Sequence, residues 1–341
     1  RRAPYAHRGS KRIMRRSIIA CLLVLLAAQP AAAADPELEP GRLVRLPDDR
    51  KLNFRCTGTG APTVVLEGGY GANSLAWEPV RRLVQGKLRV CSYDRAGYGF
   101  STPGPLPRDG ASIARDLDRG LRAAKIGGPF ILVGHSAGAL YARSFYARRP
   151  RDVAGMVLVD PSVEYQDRRF AAAFGPGAGS LQPLRDRAAR CLEAAEKRLL
   201  PSTEPSLERC TPKPNANLSE AVNAARLATS LKPETWRTQV SELETLLTST
   251  SDQIAAGPQS YGALPLIVLT ADGTYAAAPE PARAALGTLW YGLHRELARR
   301  SSAGESRLIA GSSHLMVRDK PAAIADAILE IAAKTKSAKV N

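Results

Sequence analysis

Seven short apolar runs rich in β-branched residues punctuate this chain: Leu52–Cys56, Thr63–Glu67, Leu88–Tyr93, Phe130–Val133, Met156–Asp160, Leu266–Thr270 and Arg307–Ala310. Most are continuous rather than alternating, the pattern of strands covered on both faces. Stretches with helical spacing fall between them, over 76–85, 111–124, 137–149, 281–299 and 321–333. Strands that alternate with helices have few ways to pack: each crossover helix must lie on the sheet it serves. The pattern predicts an α/β fold built on a doubly wound, mostly parallel sheet.

The alternation stops between Pro161 and Gly262, where no convincing strand occurs. Leu181, Leu184, Ala188, Leu192, Ala195 and Leu199 keep helical spacing, as do Trp236, Val240, Leu243 and Leu247. The run Asn217-Leu-Ser-Glu220 resembles a capping box, and Pro233 suits a first helical turn. A loop rich in Pro and Ser over 201–216 separates the helices. We therefore expect a helical insertion at 161–260, dividing a core made of 35–160 and 261–341.

The N-terminal segment reads as an export signal. Arg15 and Arg16 precede an apolar run from Ile18 to Ala28, and Ala31–Ala34 offer small residues for cleavage near Ala34. This is the basic, apolar, small-residue order of a secretory signal, too short for a comfortable membrane span. Residues 1–13 precede Met14 and read as an over-extended frame, and Cys21 reads as filler within the apolar run. Expected localisation is periplasmic or extracellular, without a stable transmembrane anchor.

Charge changes meaning once 1–34 is set aside. That segment holds seven basic residues and no acid, leaving +9 of the formal +16 on the remainder. There the basic residues are scattered among acids. No basic face with a reading motif stands out, so no nucleic-acid partner is expected. Four cysteines remain: Cys56, Cys91, Cys191 and Cys210. An even number suits two disulfides in an oxidising compartment, with three pairings open on the residues alone.

The chemistry concentrates at Gly134-His135-Ser136-Ala137-Gly138, after the run Phe130–Val133 and before helical spacing. G-x-S-x-G between a strand and a helix is a nucleophile elbow, in which a sharp turn exposes a serine hydroxyl. A hydroxyl is a poor nucleophile until a neighbouring base takes its proton. Of the four histidines, His7 lies before the signal, His135 inside the elbow and His294 mid-helix, which leaves His314 as the general base.

In this order the motifs resemble the α/β-hydrolase family from about residue 50 to 335. Thr63–Gly71 stands where the family has a strand and its oxyanion loop. Asp94-Arg95-Ala96-Gly97, with Gly99 and Ser101, resembles the family's D-x-R-G-x-G-x-S turn. Gly311-Ser-Ser-His314 falls where the family keeps its histidine. The resemblance implies an eight-stranded sheet with a helical cap, and hydrolysis of a small or lipid-like carboxylic ester through an acyl-enzyme on Ser136. Amide, thioester and carbon–carbon bond hydrolysis, acyl transfer, and a non-catalytic binding role on the same fold stay open.

The resemblance also implies oxyanion donors at the backbone N–H of Gly69 and Ala137. Glu67 occupies the usual histidine position before that loop, and burial against Arg95 is the expected compensation. For the acid on His314, Asp272 after Leu266–Thr270 is favoured, with Asp160 as the alternative. The family's strand order makes Leu52–Cys56 and Leu88–Tyr93 neighbours, which implies Cys56–Cys91 and leaves Cys191–Cys210 for the insertion. No cofactor or metal is expected.

Overall fold

The central strands are buried along nearly their whole length, so apolar residues run on through them rather than falling only at every second position. The computed structural model describes residues 1–4, 38–216 and 219–337. The signal read at 15–34, Cys21 and Asn217 lie outside them.

The strands are β1 (Arg42–Arg45), β2 (Lys51–Thr57), β3 (Thr63–Glu67), β4 (Arg89–Tyr93), β5 (Phe130–His135), β6 (Val153–Val159), β7 (Leu266–Ala271) and β8 (Gly304–Ile309). They form one eight-stranded sheet in the order β1-β2-β4-β3-β5-β6-β7-β8. The β1–β2 and β2–β4 pairs are antiparallel; β3 to β8 and β4 are parallel.

Alternate side chains of each strand feed two cores. Val65, Leu132, Leu158 and Val268 point to one face with Leu117, Phe145 and Trp290. Val64, Ile131, Val157 and Ile267 point to the other with Val80, Ile324 and Ile328. The helices that supply these contacts are α1 (Glu78–Val84), α2 (Gly110–Ala123), α3 (Ala137–Arg148), α9 (Ala282–Ala298) and α11 (Pro321–Ser337), with a short α10 (Met316–Asp319). Asp109 starts α2 by accepting from Ser112 N at 2.8 Å.

Among the described residues, five α-helices run between β6 and β7: α4 (Gln166–Phe174), α5 (Gln182–Glu196), α6 (Glu220–Ser230), α7 (Pro233–Leu246) and α8 (Ser249–Ala256). The residue that caps α6 is Ser219, accepting from Val222 N at 3.2 Å, and not Asn217 as the expected capping box has it. The box placed the helix start two residues too early, because Ser219 itself supplies the oxygen.

Two further expectations shift at the sheet edges. β1 escapes notice because it is four residues long and buries only Val44. β8 begins at Gly304 rather than Arg307, since this edge strand is half exposed and lacks a continuous apolar run.

Cys56 is bonded to Cys91, with Cα atoms 4.1 Å apart where β2 and β4 face each other in register. Cys191 of α5 is bonded to Cys210 at the end of a 3₁₀ turn, 19 residues on. No helix among the described residues is long and apolar enough to cross a membrane.

Candidate active site

Ser136 sits between the end of β5 and the start of α3 with φ 52° and ψ −125°. A non-glycine residue holds such a conformation only where its surroundings enforce it. Here the Ser136 N–H donates to Val159 O, and the Ser136 carbonyl accepts from Ser162 N and Ala139 N, each at 3.0 Å. The flanking glycines are required by close approach. A Cβ on Gly134 would lie 2.6 Å from Gly138 O, and one on Gly138 would lie 2.4 Å from Glu67 O.

The Ser136 hydroxyl lies 2.9 Å from His314 Nε2. His314 Nδ1 lies 2.6 Å from Asp160 Oδ2. A carboxylate only accepts, so Nδ1 carries the proton and Nε2 presents its lone pair to the hydroxyl. Hydroxyl, imidazole and carboxylate thus form one hydrogen-bonded line, able in chemical terms to draw the serine proton toward the ring.

The carboxylate in that line is Asp160, not the favoured Asp272. Asp160 follows β6 and is wholly buried. Besides His314 it accepts from Trp290 Nε1 at 2.8 Å, Ala271 N at 3.0 Å and Thr274 Oγ1 at 2.6 Å. Burial opposes its charge, but the hydrogen bond and charge of His314, with help from His294 and Thr274, hold it below the ordinary carboxylate range. Asp272 is exposed and turned the other way. Its oxygens accept from Gly311 N at 3.0 Å and Ser312 N at 3.2 Å, bracing the loop that carries His314.

Three supporting residues stand at no fixed motif position. His135 donates from Nε2 to the carbonyl of His314 at 2.8 Å. Burial, with the charge of His314 beside it, pushes its pKa down to about 4, so the ring is neutral. On α9, Trp290 and His294 are one helical turn apart and share a face. Trp290 holds Asp160, while His294 donates from Nε2 to Pro161 O at 2.9 Å and accepts from Thr270 Oγ1 at 2.7 Å. Burial drives His294 down to about 4 as well, against the pull of Asp160. The only sequence signal for this pair was an i, i+4 spacing, too common to read.

Gly69 passes the elbow at contact distance: a Cβ there would lie 3.2 Å from Ser136 Cβ. The N–H of Ala137 opens α3, where the first amides of a helix have no partner within it. Behind Gly69, Glu67 is buried and receives Arg95 Nη1 at 2.9 Å and the hydroxyl of Tyr93. Burial pushes the Glu67 carboxyl up to about 7, against the pull of Arg95.

Ser136 and His314 open onto a cavity of about 730 Å³. Leu75, Pro79 and Val317 line it from the core, and Leu181, Leu184, Leu243 and Leu246 from α5, α7 and the turn before α5. Among the described residues Arg318 is the sole Lys, Arg, Asp or Glu at its wall. Among the described residues no group of three or more His, Cys, Asp or Glu is placed to hold a metal ion.

Comparison with known proteins agrees with this architecture. Residues 64–327 match the model of the Alpha/beta hydrolase family. Protein YqjL of Bacillus subtilis is 33% identical over 106 residues, covering 31% of this chain and 42% of that protein. The chain thus matches less than half the length of that relative. Among solved structures, the epoxide hydrolase CorEH superposes with a TM-score of 0.64 at 16% identity, over 86% of this chain and 98% of that one. A thermophilic esterase from Thermogutta terrifontis gives 0.54 at 20% identity, over 86% and 98%. At such identity the two structures speak for the fold alone. The family model spans most of the chain and both halves of the sheet, and on that match the chain belongs to the alpha/beta hydrolase family.

Proposed function

We propose that this hydrolase cleaves an uncharged carboxylic ester through an acyl-enzyme on Ser136. The observation that carries the reading is the unbroken hydrogen-bonded line from Ser136 Oγ through His314 to buried Asp160, opening on the cavity. As Oγ attacks the ester carbonyl, His314 Nε2 takes its proton, and Asp160 holds the ring in the right tautomer and stabilises its cation. The N–H groups of Gly69 and Ala137 receive the oxyanion. His314 then protonates the departing alcohol, and a water activated by the same nitrogen releases the acid.

The largely apolar wall supports a substrate whose acyl or alcohol part is hydrocarbon and uncharged, because a charge set against the leucines would lose its hydration, and Arg318 is already paired with Asp319 at 3.0 Å. Residues 161–260 serve as the cap that shapes this pocket. The serine at the elbow argues against chemistry that begins with a carboxylate nucleophile at that position. Two disulfides fit an oxidising compartment, so export to the periplasm or beyond is part of the proposal.

A fluorophosphonate probe should label the purified protein at Ser136, with labelling lost in Ser136→Ala. A panel of nitrophenyl esters of increasing chain length should then give turnover. An unlabelled, well-folded wild type overturns the proposal.

A further inference from the structure

The peptide joining Gly68 to Gly69 has no side chain to hold it, and glycine backbones change orientation easily. Yet the proposed oxyanion donor, Gly69 N–H, belongs to that peptide. Its orientation is supplied from outside, by Arg95. The guanidinium is 2% exposed and uses every N–H it has. Nη1 donates to Gly68 O at 2.7 Å and to Glu67 Oε1 at 2.9 Å. Nη2 donates to Gly69 O at 2.8 Å and to Glu242 Oε2 at 3.1 Å. Nε donates to Glu242 Oε1 at 2.8 Å. The rings of Tyr98 and Tyr141 flank it, with centroids 4.8 and 5.1 Å from Cζ.

In a planar trans peptide the carbonyl and the following N–H point to opposite sides. With Gly68 O drawn to Arg95, the Gly69 N–H must point away from it. The elbow lies against Gly69, whose Cβ position is 3.2 Å from Ser136 Cβ. Among the described residues that N–H meets no acceptor. Glu242 belongs to α7, within the insertion, and also accepts from Tyr98 at 2.9 Å. One helix of the insertion therefore holds the cation that holds the loop.

We propose that Arg95 is a positioning residue that aims the Gly69 N–H at the oxyanion, and that Glu242 makes this aim depend on the seating of α7. The inference rests on the reading of Ser136 as nucleophile. A lysine keeps the charge but cannot present a fork to two carbonyls and a carboxylate together.

The test compares wild type, Arg95→Lys and Glu242→Gln in nitrophenyl ester turnover, with active sites counted by fluorophosphonate titration. Losing an aimed oxyanion donor costs about 10²–10³-fold in kcat. Arg95→Lys should therefore lose about that much kcat per titrated site with KM little changed, and its affinity for an aryl boronic acid should fall by a similar factor. Glu242→Gln, which keeps the shape, should show the same pattern at roughly tenfold. A purely structural role would lower the number of titrated sites and leave kcat per site within about threefold in both variants, and that result overturns the inference. A wild type that reacts with neither probe nor ester overturns the Ser136 reading, and this inference with it.

Discussion

Asp160 and Asp272 close neighbouring parallel strands, β6 and β7, at the same end of the sheet, yet their surroundings give them opposite work. Asp160 is wholly buried and collects the imidazole, an indole, a hydroxyl and a backbone amide. Asp272 is exposed and takes two backbone amides of the loop after β8. The lesson is that strand position does not choose which carboxylate meets the imidazole. The choice follows from what other elements bring: α9 brings Trp290 and the β7–α9 loop brings Thr274, both to Asp160.

Exchanging the charge at each position tests the contrast most directly. Asp160→Asn should lower kcat by about 10⁴-fold, because an amide favours the wrong imidazole tautomer. Steady-state turnover of a nitrophenyl ester measures this, and retention of activity within tenfold would break the contrast.

The Asp160 side also rests on two buried neutral histidines, His135 and His294, whereas none of the hydrogen bonds to Asp272 comes from a histidine. Both have pKa values lowered from 6.5 to about 4. The unfolded chain then binds protons before the folded one does. Stability is fully present above pH 6.5 and falls as pH drops from there toward 4, by up to about 3 kcal/mol per histidine. Thermal melts across this window should show the decline, and His294→Gln should remove about half of this contribution to the slope. A flat profile in the wild type would count against neutral burial.

Trp290→Phe removes one donor to a buried carboxylate, worth about 1.5–3 kcal/mol when the acceptor is charged. We expect roughly a tenfold loss in kcat, with the acid limb of the kcat/KM profile moved to higher pH. Asp272→Asn should have the smallest effect, a few-fold in kcat and below about 1 kcal/mol in chemical denaturation, since an amide oxygen still accepts one of the loop amides. A 10³-fold loss there would reverse the assignment.

The same contrast explains how far the site could be read in advance. Ser136 announces itself because its environment is local: a buried strand, two glycines forced by close approach, and a helix start all lie within a few residues. His314 follows from its place after the last strand. The carboxylate that meets His314 is not legible in this way, because Asp160 and Asp272 each follow an apolar run and differ only in partners more than a hundred and about forty residues away. The pattern marks His135 only as part of the elbow, since nothing in it shows its ring reaching the carbonyl of His314. Edge strands β1 and β8 escape the apolar pattern in whole or in part because exposure to water removes the continuous signal that identifies the central strands.

The hydrogen bond from Ser136 N to Val159 O, 3.0 Å long, ties the elbow to the residue just before Asp160. Ser136 and Asp160 thereby follow adjacent strands, and their backbone positions are set one strand-to-strand spacing apart, about 4.8 Å, by the sheet itself. Such a ruler is indifferent to what is built above it. The helices between β6 and β7 could be exchanged for others, and the lining of the cavity with them, while Ser136, His314 and Asp160 keep their separations. The carboxylate at position 242 is the part that a replacement would have to carry over.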